Sequence, residues 1–328
     1  MTPTGRAAAG ALGATAAAGL ATLAWGVFVE RNRFTVRHET LAVLEPDARP
    51  ITILHLSDLH MAPWQRAKQD FVRSLAVYEP DLVIDTGDNL GHRDGIDGVR
   101  RALEPFGDAA GVFAHGSNDY FGPVLKNPFG YFFENGHGRP KTEPDLDTAE
   151  LDRFLGEGLG WLDLNNRVHA IELNGTRLEF MGTGDAHRGW DRLGALPGAV
   201  EEMRENVEWS TGEPRQVLTL GVTHAPYRRV LDAFVSQGAD LIFAGHTHGG
   251  QVRIPGRPAL VTNCDIPREQ AQGLSVWRAG ARSAFLEVSA GLGTSIYAPV
   301  RFACPPEAVV LTLTPVSLDR TGSDIGYP

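Results

Sequence analysis

The chain has 328 residues but only two cysteines, Cys264 and Cys304. Neither sits in a CxxC pair, which excludes a disulfide framework. They read as buried thiols, with one disulfide left open should the domain lie outside the cytoplasm. Positive charge is also scarce. Lys and Arg total 30 against 40 Asp and Glu, a formal net charge of −10. A general nucleic-acid binder carries a basic face, so no nucleic-acid partner is expected. Phosphate recognition would fall to metal ions, which supply positive charge locally. Repeats at solenoid spacing are absent. What remains is an ordinary globular balance, 42% apolar and 21% charged. It is enough for one large domain or two small ones with a normal core.

Residues 7–29, "AAAGALGATAAAGLATLAWGVFV", carry no charge at all. About 20 apolar residues in a helix cross a bilayer. Trp25 lies near the end of the run, where interfacial aromatics are common. Residues 1–30 therefore read as a single-pass membrane anchor, with a cleaved signal peptide as the alternative. The latter is weakened by a poor basic region, Arg6 alone, and no clear cleavage site. Arg31, Arg33 and Arg37 follow the segment, which leans the main domain to the cytoplasmic side.

Residues 31–50 read as a polar linker. From residue 51 strands and helices alternate. "ITILHLS" (51–57) is a buried strand, 64–79 a helix closed by Pro80, "DLVIDTGD" a strand, "GIDGVRRALEPF" a helix and "GVFAHGSND" another strand and loop. This predicts an α/β domain over 51–315 with a largely parallel first sheet. Residues 120–150 interrupt the rhythm with Gly, Pro, Asn and six aromatics, either a packed flap or a surface loop. Beyond it come a helix near 147–156 and a hairpin turning at Asn174–Gly175. A helix follows near 198–208, then a strand ending at His224, a helix over 226–237 and a strand ending at His246. Late strands lie at 284–289 and 307–314, and 316–328 is a tail.

Five apolar strands end in groups that bind metals: Asp58 and His60 in "SDLH", Asp88 in "TGDNL", Ser117 and Asn118 in "GSND", His224 in "THAP", His246 and His248 in "GHTHGG". Each alone is weak. In an α/β sheet, however, the carboxyl ends of strands gather at one rim. Carboxylates and imidazoles buried side by side are costly unless something compensates, and two divalent ions would. Imidazole, carboxylate and amide ligands without thiolate suit Mn, Fe, Zn or similar ions.

These motifs, in this order across roughly residues 50–315, resemble the calcineurin-like metallophosphoesterases, in particular their membrane-anchored bacterial branch. The resemblance implies a four-layer sandwich, two mixed β-sheets flanked by helices. It implies that Asp58, His60 and His248 hold one ion and that Asp88 bridges. His224 and His246, with an amide from the third motif, would hold the second. A hydroxide between the ions would then hydrolyse a phosphomonoester or phosphodiester, on a membrane-proximal substrate if the anchor is real.

The third motif departs from the family form, Gly-Asn-His-Asp/Glu. Here Gly116 and Asp119 match, Ser117 falls on the Asn position and Asn118 on the His position. Either the loop shifts and Asn118 ligates the metal, or Ser117 does and Asn118 faces the phosphate. The first is favoured because an amide oxygen is the better ligand. Either way the imidazole that would assist the leaving group is gone, and the alternative function is a metal-binding module with weak or no catalysis. His187, His115 and His92 are substitute acids, His187 foremost, and Arg188 is a phosphate contact.

Overall fold

The structure, a computed structural model, describes residues 3–123, 143–206 and 216–317. The aromatics Phe129, Tyr131, Phe132 and Phe133 of the expected insertion, and nearly all of the expected tail, lie outside the described residues.

Among the described residues, twelve strands form two six-stranded sheets. In chain order they are β1 (Thr35–Leu44), β2 (Ile51–Leu56), β3 (Leu82–Asp85), β4 (Ala110–Phe113), β5 (Leu162–Asp163), β6 (Val168–Leu173), β7 (Thr176–Gly182), β8 (Gln216–Thr223), β9 (Leu241–Ala244), β10 (Gly273–Ala279), β11 (Arg282–Val288) and β12 (Glu307–Pro315). The first sheet runs β1-β12-β2-β3-β4-β5 and the second β10-β11-β9-β8-β7-β6. Both are mixed. β2, β3, β4 and β5 are parallel, but β12 inserts antiparallel to β2. In the second sheet β7, β8, β9 and β11 are parallel between antiparallel edges.

Helices α2 (Arg66–Ser74), α3 (Ile96–Leu103) and α4 (Thr148–Asp152) cover the first sheet, and α5 (Leu196–Glu205) and α6 (Arg228–Ser236) the second. Three apolar clusters fill the gaps between layers. One joins Leu54, Val83 and Phe113 to Val72, Val99 and Leu151 under the first set of helices. A second, with Ile53, Ile84, Leu178, Leu220 and Phe243, lies between the sheets. The third joins Ile242 and Leu286 to Phe234 and Val200. The result is the four-layer order of helix, sheet, sheet, helix. Alternate residues of one strand supply two of these cores: Leu54 and Leu56 face the helices, Ile51 and Ile53 the other sheet.

The stretch 31–50 differs from the expected linker. Residues 35–44 form β1, which pairs parallel with β12 from Thr35↔Glu307 onward. The sequence signal is faint because β1 is an edge strand with charged residues interleaved. Arg37 is fixed by Glu287 and Glu307, which only the tertiary fold brings near. The hairpin is as expected: β6 and β7 meet at Leu173↔Thr176, and Asn174 and Gly175 both adopt positive φ, 54° and 83°.

Residues 3–32 form one helical run, α1 (Pro3–Ala24) followed by a π turn Trp25–Val29 and a 3-10 turn Glu30–Asn32. It is the one helix among the described residues long and apolar enough to cross a membrane. Its end is anchored to the domain: the Arg301 N–H donates to the Gly26 carbonyl at 3.2 Å, and the Cys304 N–H to Glu30 Oε1 at 2.8 Å.

Candidate metal centre

The loops after β2, β3 and β4 of one sheet meet those after β7, β8 and β9 of the other. Parallel runs in each sheet put all six carboxyl ends on one rim. The backbone there is contorted. Asp58, His60, Asp88, His246 and His248 all have positive φ, between 40° and 64°. Non-glycine residues in that region cost free energy and gather at functional sites. Cross-loop bonds hold them: Asp58 N–H to Gly87 O, His60 N–H to Asp88 O, and across the sheets His246 N–H to Asp58 Oδ2, each at 2.8–2.9 Å.

Two candidate ligand sets result among the described residues. In Asp58, His60 and His248, and again in Asp58, Asp88 and His224, the donor atoms lie within 4.8 Å of one another. Ring nitrogens face each other in pairs: His60 Nε2 is 3.3 Å from His248 Nε2, and His224 Nε2 is 3.2 Å from His246 Nδ1. Asp88 Oδ2 stands between the sets, 3.6 Å from His60 Nε2 and 3.4 Å from His224 Nε2. The far nitrogens of two rings are already used. His224 Nδ1 donates to the Thr86 carbonyl at 2.8 Å, and His246 Nε2 to the Asn263 carbonyl at 3.2 Å. For the neutral His246 ring this fixes the tautomer and turns the Nδ1 lone pair inward.

The electrostatics fit a cation. Asp58 Oδ1 is buried without a hydrogen-bond partner. Burial pushes the Asp58 carboxyl up, with the neighbouring Asp88 charge adding to it. Burial lowers His60 to about 4, and burial with the Arg301 guanidinium lowers His248 to about 3. His246 is held well below its usual range by burial and His224. These imidazoles are neutral, the form that ligates metal. Asp88 and His224 form a charged pair instead. Burial opposes it, but their mutual attraction drives Asp88 well down and His224 well up. Glycines make the room. A Cβ on Gly116 would meet Asp88 and His224, one on Gly245 would meet Ser57 and Asp58, and one on Gly291 would meet Asp58.

Of the third motif, Asn118 reaches the centre. A 3-10 turn over Ser117–Asp119 brings its Nδ2 to Asp88 Oδ2 at 2.6 Å and its N–H to Asp88 Oδ1 at 2.8 Å. The Ser117 backbone N–H donates to Asp185. His187 lies at the rim, its ring 4.6 Å from that of His246, with Nδ1 in a 3.0 Å hydrogen bond with Tyr227 Oη. Arg188 stacks over Phe121 and Trp190, its guanidinium carbon 4.6 and 5.5 Å from the rings. His115 turns away, between Asp119 at 3.4 Å and Asp152 at 2.6 Å. His92 packs against Trp64 and accepts from the Asp94 N–H.

Sequence reasoning passed over several supporting residues. Asp119 accepts the backbone N–H groups of Asp88, Asn89, Leu90 and Gly116. Ser57 donates to Asp58 Oδ2 at 2.6 Å. Asp185, pushed by burial to about 6, lies beside His224 and Asp88. Arg301 is fully buried and donates to the carbonyls of Ala290, Gly291 and Gly293 at 2.7–3.0 Å, with Nη2 3.4 Å from His248 Nδ1. Only the adjoining Asp in "GSND" and "TGD" gave a signal for any of these.

Two mixed β-sheets with imidazoles and carboxylates gathered at their common rim give the fold and the candidate metal site of a metal-dependent hydrolase. The calcineurin-like phosphoesterase family model matches residues 51–250, and the chain belongs to that family. Among its relatives, the phosphodiesterase YaeI of Escherichia coli is 27% identical over 296 residues, covering 87% of this chain and 90% of the relative. A bovine transmembrane protein with a metallophosphoesterase domain is 25% identical over 224 residues, covering 64% of this chain and 43% of the relative. A dimetal phosphatase structure from Danio rerio superposes with a TM-score of 0.39 at 12% identity, over 76% of this chain and 88% of that one.

Proposed function

We propose that the chain hydrolyses a phosphoester, a phosphodiester first and a phosphomonoester second, close to a membrane surface. The observation that carries this is the Asp88 carboxylate flanked by His60 and His224, with the unpartnered Asp58 Oδ1 beside it. Asp58, His60 and His248 would hold one divalent ion, and His224, His246 and Asn118 the other, with Asp88 contributing to both sets. Ions held there supply an activated water at neutral pH and positive charge for the phosphoryl oxygens. What supports Asn118 is that its Nδ2 donates to Asp88 Oδ2 at 2.6 Å, which leaves the amide oxygen as the candidate ligand.

His187 is the proton donor to the leaving group. His187 Nδ1 lies 3.0 Å from Tyr227 Oη, and the Tyr227 hydroxyl donates to the Asn263 carbonyl at 3.4 Å, which holds the ring at the rim of the centre. Burial raises the Tyr227 hydroxyl to about 12, so it remains a neutral partner. Arg188 is a contact for the substrate phosphate. The apolar helix serves as the anchor, with the domain on the cytoplasmic side, as Arg31, Arg33 and Arg37 favour.

The test is release of the aryl alcohol from an aryl phosphodiester by the full chain in detergent with Mn²⁺, beside Asp88→Ala. Clear turnover abolished in the variant is expected. Equal background rates from both proteins would refute the reading.

A further inference from the structure

The chain is acidic overall, yet two segments next to the helix exit contain no carboxylate: 249–264 and 288–306. They contribute Arg253, Arg257 and Arg301, and the helix exit adds Arg31 and Arg33. The segments are stitched together. Gln251 Nε2 donates to the carbonyls of Ala298 and Val300 at 2.8 and 2.9 Å, and the Arg253 N–H to the Phe302 carbonyl at 2.9 Å. The same stretch holds the helix through Gly26 and Glu30. Large apolar side chains stand out from this face: Phe28 is 72% exposed, Ile254 55% and Tyr297 46%. Scattered exposed apolar residues mean little, but here they share a hydrogen-bonded unit with the apolar helix and with arginines.

The inner end of the unit is the metal centre. His248 precedes Gln251 by three residues, and Arg301 reaches it from the other segment. We infer that this face lies on an anionic bilayer surface and presents the metal centre to phosphoesters at headgroup depth, so that the substrate is a lipid. Ile254, Tyr297 and Phe28 enter the interface, and Arg33 and Arg257 meet the anionic headgroups. A second copy of the chain is a poorer occupant, because like-charged arginines would face each other. The inference rests on the phosphoesterase and anchor readings above, and it sharpens both.

The full chain carrying Cys264→Ser and Ile254→Cys is spin-labelled at position 254 in vesicles of phosphatidylglycerol and phosphatidylcholine. Collision with oxygen and with a water-soluble nickel chelate reads depth. Val217, at the amino end of β8 and 44% exposed, gives the control site as Val217→Cys. The oxygen-to-nickel ratio at 254 is expected to exceed that at 217 several-fold, and to fall with Arg257→Gln or in phosphatidylcholine alone. Equal ratios at both positions overturn the docking, as does spin–spin broadening at 254, which would mark a second copy. Failure to float with vesicles overturns the anchor as well. None of these readings needs catalysis, so an inactive protein would refute the hydrolase reading separately. For the substrate, the same headgroup phosphodiester is offered in vesicles and as a short-chain soluble ester. Confinement to the surface predicts turnover about tenfold or more faster in vesicles. Equal rates would remove the lipid assignment.

Discussion

The Asp119 carboxylate accepts the Asp88 backbone N–H at 2.8 Å, so the third motif shapes the second before any ion arrives. The same carboxylate caps Asn89, Leu90 and Gly116, and it is fully buried. Charge-assisted bonds of this kind are worth about 1.5–3 kcal/mol each, and orphaned buried donors cost similar amounts. Asp119→Ala is expected to destabilise the fold by roughly 3–5 kcal/mol and to empty the metal centre. Urea unfolding and metal analysis of the purified variant check this.

Asn118 and Ser117 part company in the same turn. Asn118→Ala removes the amide at Asp88, and purified protein is expected to retain one ion where the parent holds two. Ser117→Ala is expected to leave metal content and rate unchanged. Equal effects from both substitutions would show that the loop has not shifted register.

General acids contribute about 10²–10⁴-fold, and more for poor leaving groups. His187→Gln is therefore expected to slow an alkyl phosphodiester by about 10²-fold while an aryl ester with a good leaving group slows only a few-fold. A slope of rate against leaving-group pKa that is the same for parent and variant would exclude His187 as the donor.

His115 gives the fold an alkaline limit. Burial alone would lower it, but bonds to Asp119 and Asp152 win and raise it from 6.5 to about 10. A histidine raised in the folded state contributes fully below its unfolded pKa, about 6.5, and loses that contribution as pH rises through about 10. The contribution is on the order of 3–5 kcal/mol. Denaturation midpoints are expected to fall from pH 7 to pH 10.5 in the parent and to stay nearly level in His115→Asn.

Arg301 supports His248 from behind and ties down three carbonyls. Arg301→Met leaves those carbonyls short of a donor, at about 1–3 kcal/mol apiece. Competition with a chelator is expected to strip the first ion from the variant at a lower chelator concentration than from the parent. Deleting residues 1–30 removes Gly26 and Glu30 from the same loop and is expected to act in the same direction, more weakly.

The sequence by itself determined the alternation of strands and helices, the Asn174–Gly175 hairpin and the Asp- and His-bearing ends of β2, β3, β8 and β9. Those signals are local: apolar runs of strand length stop at Asp, His and Gly, and parallel strands leave their carboxyl ends together. Only the tertiary structure decided that residues 35–44 form an edge strand, that β12 enters antiparallel beside β2, that Asn118 meets Asp88, and that Asp119, Arg301 and Glu30 brace the centre. Each of those depends on partners far away in the chain. Glu30 meets Cys304 across 274 residues, and Arg301 meets His248 across 53. A buried carboxylate or guanidinium is specified by the donors and acceptors around it, and no periodicity in the sequence encodes those.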